Sequence, residues 1–171
     1  MTLLLKAAVA ATALSLLAGS AMAQATATVN TTVNTTIIRP ITLTQNTALA
    51  FGTVVRPASG NGNVFVDKAT GARTSDGGVA VVGTGFSRAT YTVAGEGAQA
   101  FTITVPATMI MAGAGNITVT LVATTTGSTV LSSTLGQPGT LDFGIGGSFP
   151  ITNATNSGVY TGTFPVTVAY N

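Results

Sequence analysis

The chain has 171 residues, of which 46% are hydrophobic and only 6% charged, where an ordinary soluble domain is roughly a quarter charged. Low charge joined to high apolar content excludes a disordered chain, and the absence of both cysteine and histidine excludes disulfides, thiolate chemistry, imidazole metal ligands and every histidine-dependent triad. The net charge of +2 is spread without a basic cluster, so the pI of 9.4 reflects few groups and nucleic acid is not an expected partner.

At the N-terminus, Lys6 precedes an apolar run from Ala7 to Ala18 and the small-residue site Ala21, Met22, Ala23 before Gln24. This is the layout of a secretory signal peptide over residues 1–23, and its apolar run falls short of the ~20 residues that span a bilayer. The mature chain is therefore expected to begin at Gln24, to hold 148 residues in one sandwich-sized domain, and to have no membrane span. The expected route is through the inner membrane to the periplasm, and from there to the cell surface or an extracellular fibre.

Residues 24–37 read as an extended arm. The odd positions are Ala25, Ala27, Val29, Thr31, Val33, Thr35 and Ile37, and the even positions are threonine or asparagine, with no charge, glycine or proline. Such two-residue alternation puts all the apolar side chains on one face of a strand.

Pro40 breaks the arm from a domain over residues 38–171. Strands are expected at Ile41–Thr44, Leu49–Val55, Val64–Val66 and Val79–Val82, with turns at Pro57–Gly62 and Lys68–Ala72. The clearest hairpin signal joins Ala89–Val93 to Phe101–Val105 through Gly95, Glu96 and Gly97, with apolar residues at odd positions on both arms. Ile117–Leu121 alternates again, a strand is expected around Val130 and Leu131, and Gly136–Gly139 is read as a turn. Leu141–Phe143 and Ser148–Ile151 flank a glycine run, Gly144–Gly147, read as a bend or bulge, as is Gly83–Gly85. Short strands separated by frequent turn signals predict an all-β, Greek-key β-sandwich of immunoglobulin-like type.

Catalytic chemistry is not expected, nor any metal or other cofactor. The carboxylates Asp67, Asp76, Glu96 and Asp142 each lie in or beside a glycine-rich turn, none near another in sequence, and read as turn caps and solubilising charges. Neither glycine-rich segment carries the lysine and hydroxyl of a phosphate loop. The Asn-x-Thr triplets at Asn30, Asn34, Asn116 and Asn153 are commonplace in so threonine-rich a chain.

The last stretch, GVYTGTFPVTVAYN over Gly158–Asn171, places Tyr160, Gly162, Phe164, Val166, Val168 and Tyr170 on one face, with threonines dominating the other. It predicts a half-buried strand whose free edge has to be covered. Tyr170 is penultimate and Gly158 lies fourteenth from the end, which resembles the C-terminal motif of chaperone–usher pilus subunits. Leu49–Val54, Lys68–Arg73 and Tyr160–Phe164 resemble an uncharacterised family of small secreted, pilin-like β-sandwich proteins of Gram-negative bacteria. The chain departs from many pilins in lacking a cysteine pair, and Pro165 cannot donate to a ladder.

The pilin resemblance implies a sandwich missing its last strand, completed by the N-terminal arm of another subunit. On that reading Val29, Val33 and Ile37 are donor-strand residues, with Ala25, Ala27, Thr31 and Thr35 shallower, and Gly158, Phe164, Val166, Val168 and Tyr170 belong to the acceptor strand. The implied partners are other copies or related subunits, a periplasmic chaperone and an outer-membrane usher. The competing expectation is a self-complemented monomeric adhesin or coat protein. An outer-membrane barrel is disfavoured because the predicted strands are shorter than the ~9–11 residues a barrel needs.

Overall fold

A computed structural model describes residues 26–171; the signal-peptide expectation and Ala25 lie outside the described residues. Contacts divide the chain into two units, Met1–Thr36 and Ile37–Asn171. In the first, residues 26–36 carry no assigned secondary structure and are exposed.

The second unit is built only from strands, with no helix among the described residues. Its order is β1 (Thr42–Thr47), β2 (Thr53–Val55), β3 (Asn61–Val66), β4 (Arg73–Ser75), β5 (Ala80–Val82), β6 (Ala89–Glu96), β7 (Ala100–Thr104), β8 (Thr108–Ala112), β9 (Asn116–Ala123), β10 (Gly127–Val130), β11 (Pro138–Thr152) and β12 (Thr167–Tyr170). One sheet runs β1-β6-β11-β3-β4, with β9 also on β11 and β8 on β9; a second runs β10-β7-β12; β2 and β5 form a two-stranded ribbon. All pairings are antiparallel.

The two-residue periodicity explains why the sheets close on each other. Ala89, Tyr91 and Val93 of β6, Phe101 and Ile103 of β7, Ile117, Val119 and Leu121 of β9, and Phe143, Ile145, Phe149 and Ile151 of β11 are all buried. The core is thus supplied by both sheets, which makes the unit a β-sandwich. Two aromatic contacts sit inside it: Phe51 meets Phe149 edge-on at 4.9 Å, and Tyr91 stacks on Phe143 at 5.3 Å.

Three expectations are corrected. β6 and β7 do not form a hairpin: β6 pairs with β1 and β11, whereas β7 pairs with β10 and β12, so the chain crosses from one sheet to the other at residues 97–99. The alternation on the two arms marks two inward faces, and says nothing about whether those faces share a ladder. The Gly144–Gly147 run is neither bend nor bulge, since it lies inside the continuous strand β11, which also absorbs Pro138 and Gly139 from the expected turn. There β11 meets β6 at Ile145, β3 at Gly147 and β9 across Ile145–Ser148. A Cβ on Gly146 would stand 2.6 Å from the Lys68 nitrogen, so crowding by neighbouring backbone requires the missing side chain. The third correction concerns Glu96, expected as a solvated turn charge: it is 2% exposed and ion-paired with Arg39 at 3.1 Å. Of the other carboxylates, Asp67 does cap its own turn, accepting from the backbone of Ala69 and Thr70 at 2.9 and 2.6 Å, whereas Asp76 accepts from the Asn63 N–H of β3 at 2.6 Å and Asp142 lies within β11 and accepts from the Thr92 hydroxyl of β6 at 2.6 Å.

Candidate functional site: the groove along the C-terminal segment

The C-terminal segment touches both sheets without completing either. Near its start, Thr161 makes an isolated bridge with Ala112 at the end of β8, through a reciprocal hydrogen-bond pair of 2.8 and 2.9 Å. At its end, β12 pairs with β7 in the register Thr167↔Thr104 to Tyr170↔Phe101. Residues 162–166 between them belong to no strand. Pro165 therefore falls where no ladder bond is demanded of its nitrogen, and its ring suits the crossover. The terminus is pinned by Asn171, whose side chain accepts from Thr102 at 2.6 Å and donates to Ser128 at 2.7 Å.

In the three-stranded sheet β7 is central, so β12 offers its outer edge with no strand beside it among the described residues. The expected alternation is present in burial: Tyr160, Phe164, Val166, Val168 and Tyr170 are half-buried and packed against the core, and their odd-numbered neighbours are exposed. The strand itself is shorter than the expected Gly158–Asn171, covering only Thr167–Tyr170. Beside its first part opens a cavity of about 870 Å³, lined by Leu49, Phe51, Met109, Met111, Tyr160 and Phe164 among others. Arg73 braces the Phe51 side of this cavity against β5: its guanidinium donates to the carbonyls of Phe51 (2.7 Å), Val82 (3.0 Å) and Gly83 (2.9 Å), and lies 4.5 Å over the Phe86 ring.

The candidate acceptor residues thus come together on one segment, with a distinction. Phe164, Val166, Val168 and Tyr170 face the core, whereas Gly158 is exposed, next to Ala114 at the far end. Tyr170 is anchored through its hydroxyl, which accepts from the Glu96 backbone N–H at 2.7 Å and donates to the Arg39 carbonyl at 3.0 Å. The candidate donor residues Val29, Val33 and Ile37 are 85%, 88% and 88% exposed. Ala27, Thr31 and Thr35 are exposed as well.

Three contributors escaped sequence reasoning. Met109 and Met111 of β8 line the groove, but TMIMA carries no polar alternation to mark a strand, and Ile110 between them is 57% exposed. Glu96 did leave a signal, as the single charged residue between Arg88 and Asp142. Its carboxyl is held below the usual range, first by the Gly136 N–H and then by Arg39. Among the described residues, no group of three or more His, Cys, Asp or Glu side chains converges.

A family model described as a domain of unknown function, DUF4402, matches residues 41–170. No curated protein and no solved structure matches the chain.

Proposed function

We propose that this chain, which belongs to the DUF4402 family, is a secreted structural subunit of a surface fibre of the pilus type, polymerising by β-strand donation. The arm Gln24–Ile37 of one copy would lie along the outer edge of β12 in another and cover the half-buried face from Tyr160 to Tyr170. The observation that carries this reading is the pairing of two incomplete surfaces: an apolar face half-covered beside an unpaired strand edge, and an exposed run with Val29, Val33 and Ile37 at every fourth position. An unpaired edge of this kind is a template for another strand. Burying each donor knob contributes ~1.5–3 kcal/mol, in addition to a new backbone ladder. Gln24–Thr36 alone, thirteen residues, reaches about 43 Å when extended at ~3.3 Å each, enough to follow the whole segment.

A periplasmic chaperone that shields the groove before assembly and an outer-membrane usher fit this reading as partners. The second reading, a self-contained surface protein, is favoured by the 17 buried hydrophobic residues of the sandwich, which close a core without the arm. Val33→Asp and deletion of Gln24–Thr36 separate the two, followed by size-exclusion chromatography and negative-stain microscopy. Donation requires loss of fibres in both, with a synthetic Gln24–Thr36 peptide restoring the deleted protein's stability without restoring fibre length. Fibres unchanged in both variants, or a deleted protein equally stable without peptide, would refute it.

A further inference from the structure

The one buried charge among the described residues sits where the two ends of the sandwich meet. Glu96, at the end of β6, has one carboxylate oxygen taken by the Gly136 N–H. The other accepts from the Arg39 backbone N–H at 3.3 Å and from Arg39 Nη1 at 3.1 Å. Arg39 Nη2 reaches on to the Gly136 carbonyl at 3.3 Å. On the backbone side, the Glu96 N–H donates to the Tyr170 hydroxyl, which donates in turn to the Arg39 carbonyl. Arg39 and Tyr170, 131 positions apart, therefore share one residue as partner. The packing admits Tyr170 only because residue 95 is glycine: a Cβ there would collide with the phenol oxygen and stand 3.0 Å from Leu131 Cδ1. A carboxylate kept out of water needs these donors, so the cluster holds together or fails together.

We propose that Glu96 is a positioning residue that couples the two ends of the domain. It holds Arg39, the root of the N-terminal arm, and Tyr170, the end of the C-terminal strand, in one hydrogen-bonded cluster, so that ordering either end orders the other. The tie stands on the sandwich alone; its meaning for assembly, that a filled groove steadies the root of the same subunit's own arm, rests on the donor-strand reading. The residues are joined by bonds to a common partner, which is the physical route by which one end senses the other.

Hydrogen exchange read by mass spectrometry on the whole mature chain, at a concentration where it is monomeric, tests the tie. Glu96→Gln keeps the shape and removes the charge; Tyr170→Phe removes only the hydroxyl. Each should raise exchange about tenfold both in residues 38–43 and in residues 167–171, the loss of a charge-assisted hydrogen bond or of the two made by one hydroxyl, while β9 and the centre of β11 stay protected. The double variant should exceed neither single one by much, because the two changes break one cluster. A rise at one end only, a uniform rise across the sandwich, or additive effects would overturn the coupling. Coupling found together with arm-deleted protein that still forms fibres would leave the tie standing and remove only the donor-strand reading.

Discussion

β9 and the C-terminal segment carry nearly the same sequence pattern and meet different fates. NITVTLVA in β9 alternates between exposed and fully buried, with Ile117, Val119 and Leu121 sealed in the core. TFPVTVAY over Thr163–Tyr170 alternates just as regularly, yet its inward residues are only half-buried. The difference is in their neighbours: β9 has β8 on one edge and β11 on the other, whereas β12 has β7 alone. Alternation thus decides which face of a strand turns inward, and the number of paired edges decides how completely that face leaves water.

The comparison can be broken by matched truncations, and the largest effect belongs to the sealed side. Ile145→Ala, where β6, β9 and β11 meet at a fully buried position, should cost about 2–5 kcal/mol by urea unfolding. Gly95→Ala forces a methyl group against Tyr170 and Leu131 and should cost about 1–3 kcal/mol, with accelerated exchange in β12 and in residues 38–43. Val168→Ala, on the half-covered face, should cost the monomer about 0.5–1.5 kcal/mol. If the Val168 change costs as much as that at Ile145, the two regions are equally sealed and the contrast is void.

The mildest effect is conditional on pH. Glu96 has a carboxyl depressed in the folded state below its ordinary value of 4.5, chiefly by the Gly136 N–H and then by Arg39. Its stabilising contribution is present above that ordinary value and is lost as pH falls through the depressed one. Wild type should therefore lose more stability than Glu96→Gln between neutral pH and pH about 3, and parallel curves would show that the carboxylate contributes nothing. Asp67, depressed in the same direction by the Thr70 N–H foremost, is common to both proteins and cancels from the difference.

The all-β sandwich and most of its core were legible because period-two patterning survives in nearly every strand, as in Ala89, Tyr91 and Val93 or Phe101 and Ile103. What patterning cannot encode is partnership. The segment around Glu96 reads as a hairpin turn, but the short crossover at residues 97–99 carries the chain to the opposite sheet. The Gly144–Gly147 run reads as a bend or bulge because crowding by three other strands is a long-range condition, visible only when Lys68 and Thr120 are in place. At the candidate site the alternating face from Tyr160 to Tyr170 was readable, and so was the weakness of Pro165 as a ladder residue. The far wall was not, since Met109, Met111 and Phe51 come from distant elements with no shared signature.

The hydrogen bond from Tyr170 to Arg39 bears on symmetry. Both the N-terminal arm and the C-terminal strand run, in chain direction, toward that contact, so an arm laid against its own β12 would have to lie parallel to it. Only an arm from another molecule can run the opposite way, with the straighter hydrogen bonds of antiparallel pairing. That direction would put the donor's root at the Tyr160 end of its neighbour, and leave the neighbour's own root free at the Tyr170 end. Giving and receiving points would then lie at opposite ends of each subunit, a head-to-tail contact that propagates as an open chain. Parallel pairing between two molecules would instead bring both roots together and close a two-fold dimer. Strand direction at a single edge thereby separates a filament from a pair.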